Sequence, residues 1–521
     1  MSYKILWVDD EIELLRSHII FLNEKGYDVE TVANGEDALA EIKEKNYDLI
    51  FLDEMMPGLG GLETLALLKD IKPDIPVIMV TKNEEESLMT EAIGSKISDY
   101  LIKPVVPSQI LLVCKKFLEG KKISREYVAK DYLTDFNEIS EMRLNALDYK
   151  KWVDLYLKLT NWEIELSEHP ELGLSRTLAD QKKECNQEFS KFVEKKYKGW
   201  INASEEDVPL FSPQILNKYV IPHLKASENP VFFVIIDCLR LDQWLIMEKH
   251  LKEYFEIEKE YYYSILPTAT AYARNSLFAG LYPSDIQKYF PDLWASGDDD
   301  EVSQNKYERE LLQLFLDRNR IKLRNELKYM KIIDPEVGRA FEQNVASHKK
   351  THLMAVVVNF LDMIAHGRSD SQILKEIAPN EAAYLSLTNG WFTHSSLLGT
   401  FKTISKMKGA KVIVTTDHGS IRTLRGAKVL GDKEASSNLR FKFGRNLRVE
   451  DKHAVYIRNS SDYKLPKRGL TIDYIIAKED YYFVYPTEYH KYLSYYKDCF
   501  QHGGISMEEM ILPVVTMEAK G

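Results

Sequence analysis

Short apolar runs alternate with amphipathic stretches along the first 118 residues. The apolar runs are KILWVDD, DVETVA, YDLIFLDEMMPG, IPVIMVTK and DYLIKP, and residues 13–25 and 35–45 place apolar positions at helical spacing between them. This alternation predicts a doubly wound α/β domain of about five strands. From residue 124 to 168 it stops. Leu133, Phe136, Ile139 and Met142, then Trp152, Val153, Tyr156 and Leu157, recur at helical spacing, and His169 with Pro170 interrupts them. A second helical run through Cys185, Phe189, Phe192, Val193, Tyr197 and Trp200 is expected to stop near Gly199. These stretches predict an α-helical bundle whose aromatic stripes pack between helices. Beyond residue 206 the runs VFFVIID, MAVVVNFLD and KVIVTTDHG predict core strands of a second, mostly parallel sheet. The expected organisation is a multidomain α/β chain: residues 1–121, doubly wound; 122–205, a helical linker; 206–521, an α/β output domain.

Composition excludes several classes of function. The chain has 521 residues, 45% hydrophobic and 29% charged, enough for several sizeable cores. Its net charge of -11 argues against a broad basic surface for nucleic acid, and no helix-turn-helix pattern is found. Cys114, Cys185, Cys238 and Cys499 are far apart and form no CxxC, so they read as reduced thiols. No signal-like leader precedes YKILWV, and no apolar run approaches the ~18 residues of a membrane span. A cytoplasmic protein is expected.

Candidate chemistry sits where strands are predicted to end. Asp9 and Asp10 close the first run, Asp53 the third, Thr81 the fourth, and Lys103 with Pro104 the fifth. Three carboxylates on one sheet edge repel one another unless a hard cation such as Mg²⁺ lies among them. One carboxylate is then available as a phosphate acceptor, with the cation and Lys103 balancing the incoming charge and the Thr81 hydroxyl bonding the phosphate once it is attached. With its acidic pair, its aspartate before xMMPG, its hydroxyl after IMV and its lysine before proline, this stretch resembles the receiver domain of bacterial two-component response regulators. The resemblance implies that Asp9 and Asp10 help Asp53 hold Mg²⁺, that Asp53 is the phosphoacceptor, and that Thr81 and Tyr100 are the switch pair. It also implies phosphorylation-dependent dimerisation through a face formed by residues 86–117.

In the output region Asp237, Thr270, Asp362, His366, Asp417, His418 and His502 each fall at or just after an apolar run. Asp237 at a strand end reads as a metal ligand or as the cap of the next helix. Asp362 and His366, four apart, share one side of a helical turn, whereas the neighbours Asp417 and His418 diverge toward two metals. Mixed imidazole and carboxylate donors favour Zn²⁺ or Mn²⁺ over Mg²⁺ or Ca²⁺.

DCLRLDQW, PTATAYARNSLFAG, LDMIAH, TTDHG and QHGGISMEEMILP resemble, in order, the PglZ branch of the alkaline phosphatase superfamily, with residues 297–350 as a variable insertion. The resemblance implies an alkaline-phosphatase-like α/β domain binding two Zn²⁺. One ion would be held by Asp362, His366 and His502, the other by Asp237, Asp417, His418 and the hydroxyl of Thr270, the nucleophile. Arg240 and Arg274 are candidates to neutralise a phosphate oxygen, with helix packing as the alternative use of each. Sulfatase relatives also carry an arginine four residues after their nucleophile, but that nucleophile is a formylglycine, which threonine cannot supply.

Taken whole, the chain resembles the PorX-type response regulators associated with type IX secretion. That implies an upstream sensor histidine kinase and a downstream extracytoplasmic-function sigma factor. The expected activity is metal-dependent phosphodiester hydrolysis, of oligonucleotide or cyclic-oligonucleotide substrates. The alternative is a non-enzymatic adaptor whose metal-bound domain recruits a transcription partner.

Overall fold

Apolar runs buried on both faces build two sheets, each with its chemistry at the carboxyl ends of its strands. The computed structural model describes residues 2–82, 97–145, 147–202, 207–294, 305–432, 436, 438–469 and 472–520. The chain falls into two units, Met1–Leu133 and Thr134–Gly521.

In the first unit β1 (Lys4–Val8), β2 (Asp28–Val32), β3 (Leu49–Asp53), β4 (Val77–Thr81) and β5 (Asp99–Ile102) form one parallel sheet in the order β2-β1-β3-β4-β5. Helices Ile12–Glu24, Gly35–Glu44, Gly61–Ile71 and Pro107–Cys114 connect or follow the strands. Separate apolar clusters cover the two faces, one around Trp7, Phe51 and Ile110, the other around Leu6, Ile50 and Leu65. Asn34 caps the second helix by accepting the Asp37 N–H at 2.8 Å. Gly61 is required where it stands, since a Cβ there would lie 2.2 Å from the carbonyl oxygen of Asp53. Of the switch face expected over residues 86–117, residues 86–96 lie outside the described residues.

The second unit contains helices Tyr149–Glu168 and Ser175–Asn202. The expected stop at Gly199 is not observed. Ile201 is buried and Trp200 packs 5.2 Å from Phe192, and such burial offsets the ~1 kcal/mol that a mid-helix glycine costs.

The main sheet contains β6 (Val231–Ile236), β7 (Phe255–Tyr263), β8 (Lys328–Ile332), β9 (Leu353–Val358) and β10 (Lys411–Thr415). Smaller sheets use β11 (Ile421–Thr423), β12 (Arg425–Lys428), β13 (Phe441–Gly444), β14 (Ala454–Ile457), β15 (Asp473–Ala477), β16 (Tyr481–Val484) and β17 (Cys499–Gln501). The main sheet is completed by β18 (Ile511–Ala519), in the order β7-β18-β10-β6-β9-β8. Its centre, β10-β6-β9-β8, is parallel, whereas β18 runs antiparallel to both β10 and β7. The three predicted core strands are thus neighbours. MAVVVNFLD is strand only to Val358; Asn359 then leads into the helix Phe360–Asp370. Of the expected insertion at 297–350, residues 297–304 lie outside the described residues. Among the described residues no helix is long and apolar enough to cross a membrane.

Candidate metal centres

At the receiver edge, Lys103 Nζ lies 2.8 Å from Asp9 Oδ2 and 3.0 Å from Asp53 Oδ1. Asp9 and Asp53 are buried, Asp10 is exposed, and the three offer carboxylate oxygens close enough to share one ion. Burial pushes the Asp53 carboxyl up to about 6, against the pull of Lys103 and with help from the charge on Asp9. The Thr81 hydroxyl, at the end of β4, donates to Glu54, and Tyr100 on β5 is 39% exposed. This is an oxygen-rich edge of the kind Mg²⁺ prefers.

In the second unit five chain segments converge at the carboxyl edge of β6, β9 and β10. Asp237 follows β6. Asp362 and His366 lie on the helix after β9, and Asp417 and His418 follow β10. Thr270 opens the helix Thr270–Ala279 beyond β7, and His502 follows β17. His366 Nε2 is 3.3 Å and His502 Nε2 3.6 Å from Asp362 Oδ1, and the two nitrogens are 3.0 Å apart. In the neighbouring group His418 Nε2 is 3.8 Å from Asp237 Oδ1, 3.6 Å from Asp417 Oδ2 and 3.0 Å from the Thr270 hydroxyl. The His418 and His502 rings stack at 4.1 Å, which places the two groups side by side.

These residues fit a pair of metal ions on their own geometry. Ligands about 2.0–2.1 Å from a tetrahedral zinc stand about 3.3 Å apart, close to the separations just given. Asp237 Oδ1, Asp417 Oδ2, Asp362 Oδ1 and His502 Nδ1 are buried and make no hydrogen bond, a costly state for polar atoms without a ligand. His418 Nδ1 lies 3.1 Å from the carbonyl of Gly419, which orients the ring and leaves Nε2 for the site. Burial, reinforced by the neighbouring His418 and His366, holds His502 well below the usual histidine range and so keeps it neutral, the form that ligates. Burial drives the Asp237 carboxyl well above the usual carboxylate range, against the pull of Arg274 and with Asp417 adding to the rise.

The two arginines part company. Arg274 is buried inside the site, its Nη1 2.8 Å from Asp237 and its Nε 2.9 Å from Glu308 and 3.7 Å from Asp417. Arg240 is spent elsewhere. Its guanidinium is ion-paired with Asp242 and with Glu381 (2.6 Å) and lies 5.6 and 5.4 Å from the rings of Tyr384 and Phe500. That corrects the expectation of a phosphate clamp at Arg240 in favour of packing, since a buried guanidinium satisfied on all sides has no face for a phosphate. A further acidic group, Glu163, Asp242 and Glu381, is balanced by Arg240 and by Lys182, 2.7 Å from Glu163.

Glu308 was not singled out from the sequence. It begins the helix Glu308–Arg318, where an acid reads as an ordinary complement to the helix N-terminus. Nothing in the sequence linked it to Arg274. Thr268 was missed as well; its hydroxyl donates to Gly504 O at 2.8 Å and accepts from Gly503 N at 3.1 Å, tying the Thr270 turn to the His502 loop.

Comparison with known proteins matches three families along the chain. The family described as the BREX system PglZ alkaline phosphatase-like domain matches residues 215–517. The response regulator receiver domain family matches residues 5–115, and the PorX response regulator linker domain family matches residues 122–201. The chain is similar to the transcriptional regulatory protein ResD of Bacillus subtilis, 37% identical over 115 residues that cover 22% of this chain and 48% of ResD. It is similar to SrrA of Staphylococcus aureus, 29% identical over 167 residues, 32% of this chain and 69% of SrrA. The chain thus spans about half the length of ResD. Among solved structures, the chemotaxis protein CheY4 of Vibrio cholerae covers 23% of this chain over its whole length, with 28% identity and a TM-score of 0.22. The response regulator DrrB of Thermotoga maritima covers 23% of this chain over 54% of its own, with 30% identity and a TM-score of 0.22.

Proposed function

The chain belongs to the PglZ alkaline phosphatase-like family, with a response-regulator receiver and a PorX-type linker ahead of that domain, and on this premise we propose that it is a phosphorylation-controlled phosphodiesterase. The observation that carries the reading is the Thr270 hydroxyl, 3.0 Å from His418 Nε2, the nitrogen that faces Asp237 and Asp417.

Asp362, His366 and His502 would hold one Zn²⁺, and Asp237, Asp417 and His418, with the Thr270 hydroxyl, the other; Mn²⁺ suits the same donors. When bound, the ions lower the pKa of an alcohol and neutralise charge on the attacking and leaving oxygens. The protein's own part is to place Thr270 Oγ1 for in-line attack on phosphorus. The P–O bond to the leaving alcohol breaks as the bond to Thr270 forms, and water then releases the phosphoryl group from the threonine. Arg274, buried beside Asp237 and Asp417, fixes those carboxylates.

In the receiver, Asp53 is the proposed phosphoacceptor, with Asp9 and Asp10 holding Mg²⁺ and Lys103 balancing charge. The donor would be a sensor histidine kinase. Phosphorylation would favour a homodimer through the face bearing Tyr100. Oligonucleotide or cyclic-oligonucleotide phosphodiesters as substrates, a sigma-factor partner and a place in type IX secretion complete the reading.

Elemental analysis and chromogenic phosphodiester turnover, on wild type and Thr270→Ala, test it. The expected result is two zincs per output domain in both proteins, with turnover lost about a thousandfold or more in the variant. Turnover that survives in Thr270→Ala rules out Thr270 as the nucleophile. Metal bound without turnover in either protein favours the adaptor.

A further inference from the structure

One contact in the second unit has no part in the reaction as proposed. From the helix Ser175–Asn202, Asn186 and Lys182 reach the segment between His502 and β18. Asn186 is 4% exposed; its side-chain oxygen accepts the Met507 N–H at 2.8 Å and its amide donates to Glu508 Oε2 at 2.9 Å. Lys182 Nζ lies 3.2 Å from Glu508 Oε1. On its other side the same segment touches both histidine loops. The carbonyl oxygen of Glu508 lies so close to Gly419 that a Cβ there would stand 2.0 Å from it, and the Gly419 N–H donates to Glu509 O at 3.3 Å. Gly419 directly follows His418. The Glu509 carboxylate accepts the N–H of Gly504, two residues after His502, at 2.8 Å, and is ion-paired with the buried Arg440.

We propose that Asn186 and Lys182 are positioning residues of the metal centre, through which the linker helix sets the placement of His418 and His502. A carboxamide is the side chain that supplies an acceptor to Met507 and a donor to Glu508 from one position. Losing it leaves the buried Met507 N–H without its acceptor and takes from the buried Glu508 carboxylate one of its two partners, Lys182 being the other, and the segment relaxes at a place where both neighbours carry candidate ligands. The inference rests on the two-cation reading above and not on the identity of the substrate.

The test uses the full chain loaded with Co²⁺, whose visible absorption reports ligand geometry, together with zinc affinity measured against a chelator. Asn186→Leu is expected to shift the cobalt band and weaken zinc binding about tenfold or more, at temperatures where its circular dichroism matches wild type. Lys182→Met should move both readouts in the same direction by less. Lys191→Ala, an exposed change on the same helix, should move neither. If Asn186→Leu does not fold, Asn186→Asp, which keeps the acceptor for Met507, and Lys182→Met carry the comparison. Unchanged cobalt spectra and zinc affinities in the folded variants, whatever their melting temperatures, overturn the proposal and leave the contact as packing. A wild type that binds Co²⁺ yet cleaves no phosphodiester overturns the enzymatic reading alone; one that binds no Co²⁺ overturns both.

Discussion

Arg274 Nε lies 2.9 Å from Glu308 while Nη1 of the same guanidinium lies 2.8 Å from Asp237, and all three residues are buried. Asp417 at 3.7 Å makes the arginine the shared counter-charge of three carboxylates, with Lys331 adding a contact to Glu308 at 3.3 Å. Removing one partner of such a group strands the others, a loss of about 3–5 kcal/mol. Arg274→Met is therefore expected to destabilise the chelator-treated protein by that order and to regain much of the loss on adding zinc. Urea unfolding with and without zinc measures it; equal losses in the two conditions would assign Arg274 to packing alone.

Metal removal should act on one unit more than the other. A ligand that binds only the folded state adds about 2.7 kcal/mol when present at a hundred times its dissociation constant. Calorimetry should show the transition of Thr134–Gly521 falling on chelation of zinc. The transition of Met1–Leu133 should respond to Mg²⁺ and not to zinc.

Lys103 is held between Asp9 at 2.8 Å and Asp53 at 3.0 Å, so Lys103→Met leaves those buried carboxylates facing one another. The variant should depend on Mg²⁺ for stability more steeply than wild type. With a small-molecule phosphodonor, wild type should gain one phosphoryl group by mass spectrometry and Asp53→Asn none. A phosphoryl gain in Asp53→Asn would move the acceptor elsewhere.

Legibility in the sequence follows the range of the interaction. Asp237 and Asp417 are visible because strands buried on both faces read as unbroken apolar runs, and a carboxylate ending such a run is conspicuous. Asp362 and His366 are visible because their spacing matches a helical turn. The burial of Arg240 was not, because Glu381, its partner at 2.6 Å, is remote in sequence and sits at the head of a different helix. Asn186 and Glu508 are joined across the same kind of gap, and polar residues within helical or glycine-rich stretches carry no mark of a distant partner. Gly199 misled for the opposite reason: its local preference was overridden by the burial of Ile201.

Thiol chemistry gives a pH-dependent check. Burial pushes Cys114 up to about 12 and Cys185 up to about 12, and all four cysteines are buried. The folded values lie above the ordinary thiol value of 9.0, so the neutral form is favoured by folding. Stability is undiminished below about 9 and falls as pH climbs from there toward 12, because only the unfolded chain ionises. At pH 8 an aromatic disulfide reagent should find no fast thiol in the native protein and four after denaturation. A fast-reacting native thiol would contradict the burial.

The candidate ligands of the output domain begin at Asp237 and are not complete until His502. During synthesis, therefore, the candidate donors emerge in stages, and the two groups are complete only when almost the whole domain has been made. On the two-ion reading, a chain that stalls before the final glycine-rich turn would lack His502 and so one of the three candidate donors to the ion shared with Asp362 and His366.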